Sequence, residues 1–242
     1  MIHIHPNNNF YLSFEVKCLW FLTLCYSMLR LLSIWFVICS VSLQNFTANA
    51  GLLISPISLL AANVITEIYG YKNARRAIWC GFFFNLLSIL YGLLTINLPN
   101  PSYALYNNLY NSIISTYLKT SFFFILGHLL AESFNVLLFA KLKLKLKGDY
   151  LKLRILGSVL FSLFINDFIL GFANYFRSLI HIDFFSIVFV NTLTTFICLP
   201  VICYIIDKVK KLEKIDIYDQ NTQFNFFKVE VQYILSNNKY IN

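Results

Sequence analysis

The chain has 242 residues, of which 58% are apolar or aromatic and only 12% are charged, and its formal net charge is +8. Soluble domains carry about 25% charged residues, and a water-soluble fold of this size could not hide 25 Phe and 15 Tyr residues together with its aliphatic side chains. The composition therefore excludes an ordinary soluble domain and predicts a protein whose solvent is the lipid bilayer.

Six apolar stretches are long enough to cross the hydrocarbon core of a bilayer, which takes about 20 helical residues. They are, in chain order, 19–39, 51–69, 77–98, 120–140, 153–176 and 184–206. The first contains Arg30, whereas the third to sixth are strongly apolar. This pattern predicts an all-α, polytopic membrane protein, in which a bundle of six transmembrane helices forms one domain over residues 19–207.

The two ends of the chain are more polar than the spans. Residues 1–18 begin with MIHIHPNNNF, which has no charged segment followed directly by a cleavage site, so no cleaved signal peptide is expected. Residues 208–242 mix charged residues, Asn and Gln with isolated apolar residues, which is typical of a loosely ordered or surface-lying segment. Both ends are predicted to be cytoplasmic tails.

The placement of basic residues predicts the orientation. If both termini face the cytoplasm, 16 of the 19 basic residues fall in cytoplasmic segments, and the outer loops keep only Lys119 and Arg177. This asymmetry follows the positive-inside rule and predicts a multi-pass membrane protein with both termini in the cytoplasm. The expected location is a bacterial inner membrane. The stretch KLKLKLKGDYLKLR, residues 141–154, is interpreted as a basic loop near anionic lipid rather than as a nucleic-acid site.

The sequence contains no motif for catalysis or for a cofactor. Its six cysteines lie in or beside spans, form no CxxC pair and have no histidine at ligand spacing, so they are interpreted as packing residues. A Gly-rich phosphate loop is also absent from the sequence. We therefore predict neither an enzyme, nor a metal site, nor a resident cofactor.

Ionisable side chains inside the spans are the first candidates for function, because a charge at the bilayer centre costs about 2.5–3.5 kcal/mol on insertion scales. Four occur: Arg30, Glu67, Glu132 and Asp167. The helical rise of about 1.5 Å per residue places Glu132 close to the midplane and Asp167 slightly past it, whereas Glu67 lies near the cytoplasmic rim. Arg30 is expected to compensate either Asp167 or Glu132.

Neutral polar side chains extend these positions into stripes along helix faces. His128, Glu132 and Asn135 have the spacing i, i+4, i+7 and share one face of the fourth span, while Asn63 lies one turn before Glu67. Such stripes predict a polar cavity between helices. A structural alternative stays open, since histidine and asparagine also join membrane helices by hydrogen bonds.

Two further positions leave alternatives open. Glu67 either contributes to the cavity or pairs with Lys72 or Arg75 at the membrane surface. Asn166 and Asp167 are neighbours and point about 100° apart on a helix, so only one of them is expected to face a central cavity.

The stretch NVITEIYGYKNARRAIWCGF, residues 63–82, resembles the signature of the queuosine precursor transporter family, within the vitamin uptake transporter group. Members typically carry a D-x-x-T-E-x-Y-G-Y turn, then a basic pair and an aromatic helix. AESFNVLLFAKLK, residues 131–143, resembles the family's fourth helix, and LKGDYLKLRILGS, residues 146–158, resembles its loop into the fifth. The resemblance covers about residues 51–211, with Asn63 where the family usually has Asp.

The resemblance implies import of a 7-deazaguanine base, such as preQ0, preQ1 or queuine, for queuosine modification of tRNA. Such a base presents ring N–H and amino donors, which carboxylate and amide oxygens accept, and a flat face on which aromatic side chains stack. The candidate substrate-binding residues are Glu132, Asn135, His128, Asn63, Glu67, Asp167, Asn166 and Trp79.

Two other functions remain as alternatives. The chain is also compatible with a membrane subunit that binds another vitamin-like molecule and needs a separate energising module, or with a non-transporting membrane scaffold. The partners expected from the sequence are a deazapurine base and the lipid bilayer, with a homo-oligomer or an energising protein as further options.

Overall fold

The computed structural model describes residues 18–43, 46–98, 107–177, 184–219 and 224–226. In these residues the chain forms five α-helices: α1 (Leu19–Trp35), α2 (Ala50–Asn97), α3 (Asn107–Lys145), α4 (Leu151–Arg177) and α5 (Phe184–Glu213). A 3₁₀ turn (Phe36–Ile38) and two antiparallel strands, β1 (Ser40–Leu43) and β2 (Phe46–Asn49), connect α1 to α2. The predictions for residues 1–17, including the absence of a signal peptide, and for most of the tail after residue 219 lie outside the described residues.

Helices α2 to α5 are each long and apolar enough to cross a membrane, whereas α1 has only 17 residues. The prediction of a helical membrane protein is confirmed, with the small β1–β2 hairpin as an addition. The prediction of six separate helices is not confirmed, because the predicted spans 51–69 and 77–98 are two parts of α2. Helix α5 also continues to Glu213, seven residues past the end of its predicted span at 206.

Helix α2 is interrupted at Gly70. A straight helix of its 48 residues would be about 72 Å long, more than twice the hydrocarbon thickness of about 30 Å. Gly70 has φ 80° and ψ 172°, a backbone conformation that is essentially restricted to glycine because any Cβ would be strained there. The residues before and after it are helical, so α2 consists of the segments 50–69 and 71–97.

The segment 50–69 runs antiparallel to α1. Gly51, at its start, packs against Ser33 near the end of α1. Ser58 lies two turns after Gly51, and Tyr26 lies two turns before Ser33. The hydroxyls of Ser58 and Tyr26 both bind the carboxylate of Glu132. Later residues of this segment therefore contact earlier residues of α1, as expected for two antiparallel helices.

The segment 71–97 runs parallel to α1. Gly81 packs against the ring of Tyr26, and Ser88 accepts a hydrogen bond from the indole Nε1–H of Trp35 at 3.1 Å. Since the two segments run in opposite directions along the same helix, the chain reverses its direction at Gly70.

The helices turn apolar side chains outward and polar side chains inward. On α4, Phe161, Phe164 and Phe168 are more than half exposed, while Ser158, Ser162 and Asn166 on the opposite face are completely buried. This is the arrangement expected when the outer surface contacts lipid rather than water, because lipid-facing positions need no hydrogen bonds. The distribution of side chains on α4 therefore confirms the membrane class that the composition indicated.

Residues 214–219, which follow α5, pack across the Gly70 break. The backbone N–H of Ile217 donates to the carbonyl of Ile68 at 3.2 Å, and the N–H of Tyr71 donates to Oδ2 of Asp219 at 2.8 Å. These bonds occupy backbone groups that the interrupted helix leaves without intrahelical partners. A Cβ on Gly70 would lie 3.1 Å from Ile217 and 3.2 Å from the Asp219 carboxylate.

We expect Gly70→Ala to destabilise the protein by about 1–3 kcal/mol, because alanine is strained at this φ and its Cβ crowds the 214–219 segment. Gly157→Ala is the matched control, since nothing lies within 4 Å of a Cβ at Gly157 in helix α4 and alanine is favoured there by up to about 1 kcal/mol. The measurement is the midpoint of thermal unfolding in detergent. Equal midpoints for the two variants would contradict the role assigned to Gly70.

Candidate functional site

The buried centre of the bundle is lined by polar side chains of α3. His128, Glu132 and Asn135 are all at most 2% exposed, so the face predicted from their i, i+4, i+7 spacing points into the protein. Helix α2 adds Asn63 to the same interior, and the amide Nδ2 of Asn135 donates to the carbonyl of Leu59, one turn before Asn63, at 3.0 Å. The stripes predicted on the second and fourth spans therefore lie against each other.

Glu132 is the centre of a hydrogen-bonded ion pair that joins three helices. Nε of Arg30 lies 2.7 Å from Oε1 of Glu132, and both side chains are at most 4% exposed. The hydroxyl of Tyr26 donates to Oε2, and Ser58 Oγ lies 3.5 Å from Oε1. The sequence left Glu132 and Asp167 as possible partners of Arg30, and in the structure Arg30 pairs with Glu132.

A small cavity of about 10 Å³, the space of about one water molecule, adjoins this ion pair. Its polar lining consists of Arg30, Asn85 and Glu132, and the remainder is apolar, including Ile78 and Phe82 of α2. Pockets that hold drug-sized ligands measure about 300–1,000 Å³. A planar base would therefore need the surrounding helices to move apart before it could lie fully inside.

Several buried amide oxygens of the interior have no hydrogen-bond partner among the described residues, and one of them belongs to Asn85, which lines the cavity. Asn63 and Asn135 use Nδ2 as a donor, to Ser158 and to Leu59, while their Oδ1 atoms stay unpartnered. The same holds for Asn85, whose Nδ2 donates to Gly81 of its own helix. An unsatisfied buried acceptor costs about 1–3 kcal/mol, so these atoms are places where a donor from a ligand or water would be stabilised.

A nitrogen of His128 and a nitrogen of Arg30 are likewise buried without a partner among the described residues. The ring of His128 lies near Phe124, and its Nε2 has no partner among the described residues. Nη1 of Arg30 is also buried without a partner there. Together with the amide oxygens, they make the interior a site with both donors and acceptors available.

Asp167 lies in a different environment from Glu132. Nδ2 of Asn191 on α5 lies 3.0 Å from both of its carboxylate oxygens, and Nδ2 of Asn166 lies 3.3 Å from Oδ1. Asn166 and Asp167 are both buried, although the sequence predicted that only one of them would face a central cavity. Asp167 is directed at α5, and Oδ1 of Asn166 faces Gly127 on α3.

Glu67 belongs to an ionic cluster at one end of the bundle, which we call the basic end. Nη1 and Nη2 of Arg154 lie 2.7 and 3.1 Å from its two carboxylate oxygens, and Nζ of Lys210 lies 2.7 Å from Oε1. Lys143 donates to the backbone carbonyl of Glu67 and to Asp216. The sequence alternative of a pair with Lys72 or Arg75 is thus replaced by partners from α3, α4 and α5.

The 214–219 segment completes this cluster. Asp216 binds Lys143 at 2.5 Å and Lys210 at 3.0 Å, and the ring of Tyr218 lies 4.6 Å from the Lys143 ammonium. Burial and the nearby Asp216 carboxylate raise the pKa of the Tyr218 phenol, so its hydroxyl stays protonated. The cluster therefore fixes the basic end and leaves Glu67 with no free oxygen facing the cavity.

Trp79 lies outside the cavity. Its ring stacks on Phe226 with centroids 5.5 Å apart, and its Nε1–H donates to the carbonyl of Phe226 at 3.3 Å. The apolar side chains that line the cavity on this helix are its neighbours Ile78 and Phe82. Stacking of a substrate on Trp79 stays a prediction that this arrangement does not favour.

Three contributors to the site were missed or undervalued from the sequence. Asn85 is a cavity-lining amide in a span that shows no polar stripe, and Asn191 is the main partner of Asp167 from the sixth predicted span. Arg30 lines the cavity, although only a compensating role was predicted for it from the sequence. A lone polar residue in an otherwise apolar span was the available signal, but it does not tell which helix the side chain meets.

The fold and the interior define a multi-pass membrane protein with a polar, partly unsatisfied core, which is the general design of a membrane transporter. The family model described as "putative vitamin uptake transporter" matches residues 49–205, which is more than half of the chain. The protein belongs to this family. No curated protein and no solved structure matches the chain.

We expect Arg30→Leu and Glu132→Gln to be destabilising singly, because each leaves a buried partner uncompensated at a cost of about 3–5 kcal/mol. The double variant removes both charges and should recover part of that loss. The measurement is the fraction of protein that stays monodisperse in detergent after heating, with Lys211→Leu, at an exposed position, as the control for loss of one positive charge. Additive losses in the double variant would show that the two side chains do not interact.

Proposed function

We propose that the protein imports a 7-deazaguanine base, a precursor of queuosine, across a bacterial inner membrane. Membership of the vitamin uptake transporter family supports transport of a small, vitamin-like molecule. The turn sequence 63–82 and its likeness to queuosine precursor transporters support the deazapurine as substrate. The transport step itself involves no covalent change in the base.

The observation that carries this proposal is the set of buried, unpartnered acceptors in the polar interior of the bundle, of which Asn85 lines the cavity beside the Arg30–Glu132 pair. A 7-deazaguanine base has ring N–H groups and an exocyclic amine, and the unpartnered Oδ1 atoms of Asn63, Asn85 and Asn135 are acceptors of the matching kind. The carbonyl oxygen of the base is an acceptor, for which Nη1 of Arg30 is an unpartnered donor. A base bound there would satisfy groups that are otherwise buried without partners.

The apolar part of the cavity suits the flat faces of the base. Ile78 and Phe82 on α2 and Ile125 and Leu129 on α3 line the cavity, and such side chains contact a planar ring without requiring hydrogen bonds. In this view Glu132 acts chiefly through Arg30, since its own oxygens already bind Arg30, Tyr26 and Ser58. The ion pair holds the donor in position for the substrate.

The direct test is expression in a bacterium that neither makes nor imports queuosine precursors. When preQ0, preQ1 or queuine is supplied in the medium, we expect queuosine to appear in the tRNA of cells that express the protein and not in cells with an empty vector. Uptake by vesicles that contain only this protein then distinguishes a self-sufficient transporter from a subunit that needs an energising partner. No queuosine with any of the three bases would overturn the proposed substrate.

Asn85→Ala should lower uptake of the base by about 5- to 150-fold, because a lost hydrogen bond to a buried group is worth about 1–3 kcal/mol. The control is Asn73→Ala: both asparagines donate Nδ2 to the carbonyl four residues earlier in α2, at 2.8 and 2.9 Å, and only Asn85 lines the cavity. The measurement is initial uptake of labelled base at equal membrane levels of protein. Equal rates for the two variants would remove Asn85 from the site.

Both termini are proposed to face the cytoplasm, since this places 16 of the 19 basic residues inside. A reporter enzyme fused after Asn242 should then be active in its cytoplasmic form and inactive in its periplasmic form. The same reporters fused within residues 99–106, the predicted outer loop after α2, should give the opposite result. Periplasmic activity at the C-terminal fusion would invert the proposed orientation.

A further inference from the structure

Asp167 is a buried carboxylate whose described partners are all neutral. Asp167 is only 1% exposed, and the groups that donate to its carboxylate are the side-chain amides of Asn191 and Asn166. No basic side chain lies within ion-pair distance of it among the described residues. The carboxylate is therefore neither exposed to water nor neutralised by a fixed cation.

The other two buried carboxylates of the membrane helices, unlike Asp167, are bound by cationic side chains. Glu67 is bound in bidentate fashion by Arg154, and Glu132 is bound by Arg30. An ion pair of this kind keeps the acid ionised, because protonation would leave the cation buried alone. Asp167 has no such restraint, so its charge is free to change.

Both protonation states of Asp167 have a structural basis. Burial without a counter-charge favours the neutral carboxylic acid, since an isolated ionised carboxylate in an apolar interior is very costly. The amide donors from Asn191, at 3.0 Å from both oxygens, favour the ionised form. The opposing effects make this a group that binds and releases a proton rather than one that is fixed in either state.

We propose that Asp167 is the proton-coupling site of the transporter. In each import cycle its carboxylate takes one proton from the outer side, forming a neutral O–H group, and gives that proton up on the cytoplasmic side. The inference rests on the proposed function, because it supplies the driving force for import of the base. Buried acids within membrane helices commonly serve as proton relays.

The structure connects Asp167 with the candidate base site. Asn166, which donates to Asp167, turns its Oδ1 toward Gly127 on α3, within 3.6 Å of where a Cβ would lie. His128 follows Gly127 in the chain and lies on the same helix face as Glu132, one turn away. Protonation of Asp167 removes the charge that the Asn166 amide binds and so changes the hydrogen bonding available to the helix that lines the cavity.

A polar column on α4 leads from Asp167 toward the basic end. Asn166, Ser162, Ser158 and Arg154 follow one another at intervals of four residues, and each is at most 1% exposed. The hydroxyl of Ser162 has no partner among the described residues. Side chains with this spacing share one helix face, so they offer hydrogen-bonding groups to a proton or to water along the way to the Glu67 cluster.

Charged side chains from each of the three helices packed against α4 gather at its basic end. Glu67 on α2 binds Arg154 on α4, and Lys143 on α3 and Lys210 on α5 lie beside Glu67. On α3, His128 and Glu132 are also buried, and Glu132 binds Arg30 on α1. The basic-end members gather around Arg154, which lies 13 residues, or about 20 Å along the helix, from Asp167. At the level of Asp167, Asn166 faces Gly127 on α3, and the titratable residue next to Gly127 in the chain is His128.

The test uses the purified full-length protein in proteoliposomes with neutral labelled 7-cyano-7-deazaguanine as the probe. The potential is held at zero with equal potassium on both sides and valinomycin, and the outside is made one pH unit more acidic. The wild type should accumulate the base, up to about tenfold if one proton moves with each base. Asp167→Asn should show no accumulation but should still exchange internal for external base.

Two variants and one measurement make the outcome decisive. Asp207→Asn changes an exposed carboxylate on α5 and should accumulate base like the wild type, while Asp167→Glu keeps a titratable group and should retain part of the accumulation. Downhill entry of the base into wild-type liposomes, with no pH gradient, should make the external medium more alkaline. This last measurement tests the proposal even if Asp167→Asn does not fold.

The results separate this inference from the proposed function. If the wild type neither exchanges nor takes up the base, the proposed function fails. If it exchanges the base but a proton gradient drives no accumulation, or if Asp167→Asn accumulates base normally, the function stands and the proton site is wrong. Accumulation driven by a sodium gradient instead of a proton gradient would also overturn the assignment of a proton to Asp167.

Discussion

The hydrocarbon core of a bilayer contains no water to solvate charge, so each ionised group that this chain carries into its helices needs a partner within the protein. The ionic cluster at the basic end meets this requirement by drawing its members from several parts of the chain. Glu67 from α2 is bound by Arg154 from α4 and Lys210 from α5, while Lys143 from α3 reaches its backbone carbonyl. Satisfying one carboxylate therefore fixes the ends of four helices relative to one another.

The break at Gly70 depends on the same cluster. A reversal in the middle of α2 leaves backbone groups without helical partners, and the 214–219 segment supplies them through Ile217 and Asp219. Asp216, in the same segment, binds Lys143 and Lys210. The segment is thus held to the bundle by ion pairs, and it closes the break by hydrogen bonds to backbone groups on either side of Gly70. The residues after α5 are therefore coupled to the turn between the second and third predicted spans.

The buried interior beyond the basic end contains two carboxylates in different electrostatic environments. The Arg30–Glu132 pair is balanced, and the amide oxygen of Asn85, which lines the same cavity, is neutral and unpartnered, so the cavity suits a neutral ligand that offers a donor. Asp167, near a similar depth on α4, is bound only by amides among the described residues. The proposed import of a neutral base with a proton calls for two chemically distinct sites, and the buried polar faces of α3 and α4 are where we propose them.

The sequence by itself determined the membrane class, the helical fold and the identity of most buried polar residues, because helix length and the exclusion of charge from lipid are local properties of a stretch of about 20 residues. It also indicated the turn near Gly70, through the glycine and the basic residues that follow. Only the tertiary structure decided which partners meet: Arg30 with Glu132 rather than Asp167, Glu67 with Arg154 and Lys210 rather than Lys72 or Arg75, and Asp167 with Asn191. The spacing along one helix gives the face of a side chain, but the neighbour across that face depends on how the helices are arranged, and a single sequence carries no local signal for that arrangement.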